Sequence, residues 1–197
     1  MRLHIGCGTV FLKDWLNIDM PGPRTFLAME RPDLVEKWST TEDHYYAKHS
    51  ASDVRTMALG PLDQEYVCDL YGDWENLPRV DIDEILGRHT WEHLSIREAR
   101  RTLSRLMERM KDGATLRLDV PDHCCSLKRY RETTDPLEAA FYERHLLGPR
   151  RNDNGYHLVG YSRDFLRSMV EEYGFGFVME EENIHCYPAF CLQFKRI

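Results

Sequence analysis

The chain lacks any long apolar run. Nothing in it approaches the ~18 consecutive apolar residues that span a bilayer, so no membrane-crossing segment is expected. Its start, Met1-Arg2-Leu3-His4-Ile5-Gly6, has no apolar stretch of the length a secretory signal needs, so a cytoplasmic location is expected. Positive charge is in deficit: 26 Lys and Arg face 33 Asp and Glu, a formal charge of −7. An acidic surface repels phosphate backbones and anionic lipid, so neither nucleic acid nor a membrane is expected as a partner. Cysteine is sparse and irregular. Cys7, Cys68, Cys124, Cys125, Cys186 and Cys191 show no disulfide framework and read as reduced thiols. Repeats and low-complexity tracts are absent, and 12 Gly and 9 Pro exclude collagen-like or disordered chains.

What remains is the composition of one globular domain of 197 residues. A domain of this size buries roughly 70% of its unfolded surface. Short apolar segments end at chemically marked residues. Leu3–Ile5 runs into Gly6-Cys7-Gly8, Trp15–Ile18 ends at Asp19, and Glu65–Cys68 ends at Asp69. Ile82–Gly87 ends near His89, and the alternating Thr115–Val120 stops at Pro121. Between and after them lie helical patterns. Ile96, Ala99, Leu103, Leu106, Met107 and Met110 share one face, with a stop at Lys111-Asp112-Gly113. Ser162 caps a helix carrying Leu166, Met169 and Val170 that ends at Gly174, and a further helix runs from Pro136 toward Leu147. Phe177–Ile184 and Ala189–Phe194 read as a closing hairpin.

Alternating strands and helices predict a doubly wound, mostly parallel α/β sheet of seven strands, with one antiparallel strand at its edge. The whole chain, 1–197, is expected to be one domain. The polar, aromatic stretch 21–64 breaks the rhythm and is expected to be a lid or substrate-binding element.

Ligands of such sheets bind beyond the carboxyl ends of the strands. There the sequence puts Gly6, Cys7 and Gly8, then Asp19, then Asp69 and Leu70, then His89, then Asp122 and His123. A dinucleotide fingerprint needs a third glycine where Phe11 stands, which weakens a nicotinamide or flavin reading. An isolated pair, Gly6 and Gly8, is also compatible with a plain tight turn.

Taken in order, these segments resemble class I S-adenosylmethionine-dependent methyltransferases. Leu3-His4-Ile5-Gly6-Cys7-Gly8 followed by Trp15-Leu16-Asn17-Ile18-Asp19 is similar to the compact "GCG…GW.N.D" opening. Asp83-Glu84-Ile85 through His89-Thr90-Trp91-Glu92-His93 resembles the "DEI…H..EH" segment, and Val120-Pro121-Asp122 the "PD" after the fifth strand. Met110–Ala114 stands in place of the usual "LKPGG" turn with only one glycine, and Tyr156-His157 through Tyr161 and Tyr173–Phe175 match late segments.

The resemblance implies S-adenosylmethionine as cofactor and a small polar acceptor, methylated on an oxygen of a sugar-like or other metabolite. A homodimer is compatible with it. It implies that Gly6, Cys7 and Gly8 pass under the methionine part, that Asp19 takes the ribose hydroxyls, and that Asp69 and the Leu70 backbone take the adenine. His89 would border the transferred methyl. A hydroxyl acceptor needs a base, for which a near-neutral pKa suits histidine. His157 is the first choice, Asp122 the second, with His89 and His123 behind them. Glu92 and His93 are expected to be a buried structural pair.

Soft ligands at Asp122–Cys125 and at His185, Cys186 and Cys191 show no C-x-x-C or H-x-x-x-H spacing among themselves, so no metal is expected. Arg97, Arg101, Arg105 and Arg109 read as a solvated helix face. Arg150 and Arg151 form either an exposed loop or an anion clamp. A non-catalytic binding subunit of the same fold remains the alternative function.

Overall fold

A computed structural model of the chain describes residues 1–7, 12, 15–19, 81–148, 155–183, 185 and 187–197. Gly8, Asp69, Leu70, the expected strand at 65–68, the 21–64 insertion and the Arg150-Arg151 loop lie outside the described residues. The described strands are β1 (Arg2–Ile5), β2 (Leu16–Ile18), β3 (Ile82–Arg88), β4 (Met110–Pro121), β5 (Phe175–Glu181) and β6 (Ala189–Arg196). They form one six-stranded mixed sheet in the order β2-β1-β3-β4-β6-β5.

β2, β1, β3 and β4 pair in parallel, and β6 runs antiparallel to both of its neighbours. The antiparallel strand is therefore inserted inside the sheet, and the expectation of an antiparallel edge is corrected. β5 takes the edge and points the same way as β1–β4. The hairpin then turns back and fills the gap beside β4.

Four described helices accompany the sheet: α1 (Ile96–Met107), α2 (His123–Glu132), α3 (Pro136–Leu147) and α4 (Arg163–Glu171). Each starts where a side chain satisfies a free backbone N–H. Ser95 and Glu98 form a reciprocal capping box on α1. Asp122, Asp135 and Ser162 accept from Cys125, Leu137 and Phe165. α2 was not anticipated from sequence; its apolar periodicity is weak and only the Asp122 cap announces it. α1 ends at Met107, and β4 already begins at Met110, so Lys111-Asp112-Gly113 belongs to the strand rather than to the helix end. Gly113 there has φ +76° and shifts the register against β3 between Ile82 and Glu84.

Strand alternation divides the sheet into unlike faces. On one face Leu3, Ile5, Ile85, Leu116, Leu118, Val120, Phe190, Leu192 and Phe194 are buried. They pack against Leu103 and Leu106 of α1 and Leu166, Met169 and Val170 of α4. Each such side chain contributes about 1.5–3 kcal/mol by leaving water. Arg100 of α1 bonds Glu172 just after α4 at 3.0 Å, joining the two helices. The other face is largely polar and internally paired. His4 Nδ1 donates to Asn17 Oδ1 at 3.0 Å, and Arg117 holds Glu181 at 2.6 and 2.8 Å. No helix among the described residues is long and apolar enough to cross a membrane.

Candidate functional site

The parallel strands deliver their following residues to one edge, and two described groups gather there. The first stands at the ends of β1 and β2. Gly6 has φ +65°, which disfavours any side chain, and a Cβ on it would collide with Thr90. Thr90 Oγ1 in turn donates to the Ile5 carbonyl at 3.1 Å, so the turn after β1 is clamped to the turn after β3. Cys7 N donates to the Ile18 carbonyl at 3.1 Å, which brings Cys7 beside the end of β2 and Asp19. Burial first, and the Asp19 carboxylate second, push the Cys7 thiol well above its ordinary pKa. Cys7 is therefore a neutral small side chain, not a nucleophile.

The second group follows β3 and β4. His89 adopts φ +50°, a conformation that is unfavourable for a residue with a side chain and that tends to occur at functional sites. Its backbone N–H donates to the Asp119 carbonyl at 2.9 Å, so the β3–β4 register fixes its place. Its Nδ1 meets Glu92 Oε1 at 3.1 Å, and its Nε2 lies 3.0 Å from the Tyr187 hydroxyl and 3.3 Å from His185 Nε2. Glu92 sits in the 3-10 turn Trp91–His93 and is 1% exposed. From the far side, His157 Nε2 approaches Glu92 Oε1 at 3.9 Å. The segment bearing His157 is anchored to this turn, because Leu158 N donates to the Glu92 carbonyl at 2.7 Å.

His89, Glu92, His157 and Tyr187 of the second group border a cavity of about 420 Å³, within the range of small-molecule sites. His89, Glu92, His93 and His157 form one wall; Phe141, Arg144 and His145 of α3 face them, and Pro121 and Tyr187 complete it. His145 stacks on Phe141 at 5.7 Å and meets Tyr187 edge-on at 4.4 Å. Glu92 organises the charge. Burial disfavours its ionised form, but the His89 bond and the His89, His93 and His157 rings outweigh that and hold its pKa below the usual carboxylate value. Burial opposes charge on His89 too, yet the Glu92 bond and the Glu92 and Asp119 charges raise its pKa. Burial lowers the pKa of His157 despite Glu92, with His93 adding to the effect, and lowers that of His145 to about 4.

The structure thus brings His89 and His157 together across Glu92, and sets Gly6, Cys7 and Asp19 at the neighbouring strand ends. Asp122 stands apart from this wall. Its Oδ1 caps α2 through Cys125 N at 2.8 Å, and its Oδ2 accepts from Arg163 at 2.6 Å. The His123 ring packs where a Cβ on Gly160 would collide with it. His93 is not buried, as had been expected. It is half-exposed on the cavity wall, with Nδ1 donating to the Tyr156 carbonyl at 2.9 Å. Glu92 is buried, as expected, but its place between His89 and His157 had no counterpart in the sequence reading, His185 had been weighed only as a soft ligand, and His145 and Tyr187 had no assigned role. The only local signal for any of them is the His89-Thr90-Trp91-Glu92-His93 spacing.

This is the fold of class I S-adenosylmethionine-dependent methyltransferases. The mitomycin 7-O-methyltransferase MmcR superposes with a TM-score of 0.56 at 15% identity, over 100% of this chain and 48% of that one. The pyocyanin biosynthetic protein PhzM gives 0.56 at 10% identity, over 100% and 50%. Magnesium protoporphyrin IX methyltransferase (ChlM) from Synechocystis PCC 6803, solved with bound SAM, gives 0.52 at 11% identity, over 100% and 70%. The chain thus spans about half the length of the first two of these proteins. No protein-family model and no curated protein matches it in sequence.

Proposed function

We propose that the chain is an O-methyltransferase that uses S-adenosylmethionine and acts on a small polar acceptor, a sugar-like ring or a comparable hydroxylated metabolite. The observation that carries the reading is the His89–Glu92–His157 constellation, built round the buried Glu92, on the wall of a small-molecule cavity, with His89 adjacent in the chain to the Thr90 that clamps the Gly6 turn. Bound S-adenosylmethionine supplies an electrophilic methyl, so the protein's task is positioning, exclusion of water and removal of one proton.

The described residues fit the cofactor. Gly6 takes a left-handed backbone with its Cβ direction filled by Thr90, so the β1 turn carries no side chain at that position. Asp19 ends β2, where a carboxylate accepts from two vicinal ribose hydroxyls. Gly8, Asp69 and Leu70 are proposed to complete that pocket, with His89 bordering the methyl end. His157 takes the acceptor's proton. Its lowered pKa keeps the ring neutral at pH 7, and Glu92 stabilises the imidazolium that forms. The Phe141 and Tyr187 rings offer flat apolar faces for the acceptor ring.

The test is a thermal shift with S-adenosylhomocysteine, S-adenosylmethionine and NAD, followed by transfer of a labelled methyl to a panel of hydroxylated metabolites. Stabilisation by the first two and not by NAD is expected. Stabilisation by NAD alone would overturn the cofactor. Cofactor binding without transfer to any acceptor would favour a binding subunit.

A further inference from the structure

We propose that His89, His185 and Asp119 hold a first-row divalent cation of the zinc or iron(II) class beside the acceptor cavity, whose wall His89 lines. The inference deepens the methyl-transfer reading and rests on it for the ion's role, though not for its binding. Three donor atoms converge. His185 Nε2 lies 2.8 Å from Asp119 Oδ2 and 3.3 Å from His89 Nε2, and the three potential ligand atoms lie within 4.8 Å of one another. The Tyr187 hydroxyl, 3.0 Å from His89 Nε2, is a fourth donor on the cavity side. Two imidazoles and a carboxylate are a common donor set for catalytic zinc and non-haem iron, leaving positions open.

The surroundings match a ligand set more closely than a chance cluster. Asp119 and the His185 side chain are 2% and 1% exposed, and Asp119 Oδ1 has no hydrogen-bond partner among the described residues. The outer nitrogen of His89 is bound by Glu92, the carboxylate–histidine pairing that orients a metal-binding imidazole and fixes its lone pair on Nε2. Arg88 Nε lies 3.4 Å from Asp119 Oδ2 and steadies the carboxylate. His89 directly follows β3, whose Arg88 pairs with Asp119 of β4, and His185 N donates to Asn183 Oδ1 at 2.9 Å in the β5–β6 connection. Held by His89, Asp119 and His185, an ion would lie next to the cavity that His89 and Tyr187 line, and would lower the pKa of an acceptor oxygen that reached it.

The second cluster, Glu92, His93 and His157, is the competing site. Its His157 Nε2 and Glu92 Oε1 stand farther apart, at 3.9 Å, and it is the one that supplies the proposed base.

The experiment is titration of metal-stripped protein with Co²⁺, read by visible d–d absorption and by calorimetry, without cofactor. One equivalent with tetrahedral bands is expected, lost in His185→Gln and retained in His93→Ala. Melting temperatures confirm folding, and Asp119→Asn is the second variant should His185→Gln fail to fold. No cobalt binding, or bands that survive both His185→Gln and Asp119→Asn, overturns the site. S-adenosylhomocysteine affinity is measured in parallel. Its loss with cobalt binding intact defeats the methyl-transfer reading alone, and the reverse defeats the metal alone.

Discussion

At the scale of single residues, burial lowers the pKa of both His157 and His4, with different consequences. His157 is kept neutral by burial while Glu92 waits beside it, so it is ready to take a proton at pH 7. A positioned base contributes roughly 10²–10⁴-fold. His157→Ala should lower single-turnover methyl transfer to a hydroxyl acceptor by about that factor, with S-adenosylhomocysteine affinity nearly unchanged. Full activity in the folded variant would move the base to another group. His4 shows the opposite use of burial. It is 0% exposed, and desolvation, outweighing its Asn17 bond and aided by Arg88, brings its pKa from 6.5 to about 4. The unfolded chain protonates at the higher value, so His4 leaves stability intact above pH 6.5 and drains it as pH falls toward 4. Its contribution is about 3 kcal/mol at full extent. Urea midpoints measured between pH 7 and 4.5 should fall steadily, and His4→Gln should flatten that slope even though it lowers the neutral-pH midpoint.

At the scale of elements, the sequence was legible wherever local rules decide. The strands at residues 2–5, 16–18 and 82–88, and the helices that begin at Ile96, Pro136 and Arg163, follow from alternation, amphipathic spacing and caps. What failed were boundaries settled by pairing. Met110 joins β4 because Ile82 needs a partner across the sheet, a demand no window of sequence around Lys111 reveals. The place of β6 inside the sheet is likewise a matter of tertiary pairing. Asp122 illustrates how one residue type serves two readings. After a strand and a proline it looks like a site carboxylate, yet both its oxygens are spent on the α2 cap and Arg163. Losing a cap costs about 1 kcal/mol. Asp122→Ala should therefore lower the melting temperature by several degrees and leave turnover at saturating substrates within a few-fold. A loss of activity without a loss of stability would return Asp122 to the chemistry.

At the scale of the whole molecule, the parallel order β2-β1-β3-β4 lines up the ends of four strands so that residues far apart in sequence share one edge. This is why His89 and His157 could be named in advance but their link through Glu92, and the approach of His185, could not. Contacts across separations of 66 and 96 residues are set by strand order, not by spacing. In the proposed reading the same edge divides labour: the ends of β1 and β2 would serve the cofactor half, and the turn after β3 together with the segment around His157 the acceptor half. Asp19→Ala should weaken S-adenosylhomocysteine binding by about 1.5–3 kcal/mol, the range for hydrogen bonds to a charged group, and leave turnover at saturating cofactor little changed. His157→Ala should do the reverse. Because the two halves act on different steps, the double variant should show both losses at close to their single-variant sizes, within the few tenths of a kcal/mol expected for independent sites. Calorimetry gives the first quantity and single-turnover kinetics the second. If His157→Ala weakens cofactor binding as much as Asp19→Ala does, the two halves form one coupled pocket, and the base must be sought outside the His89–Glu92–His157 constellation.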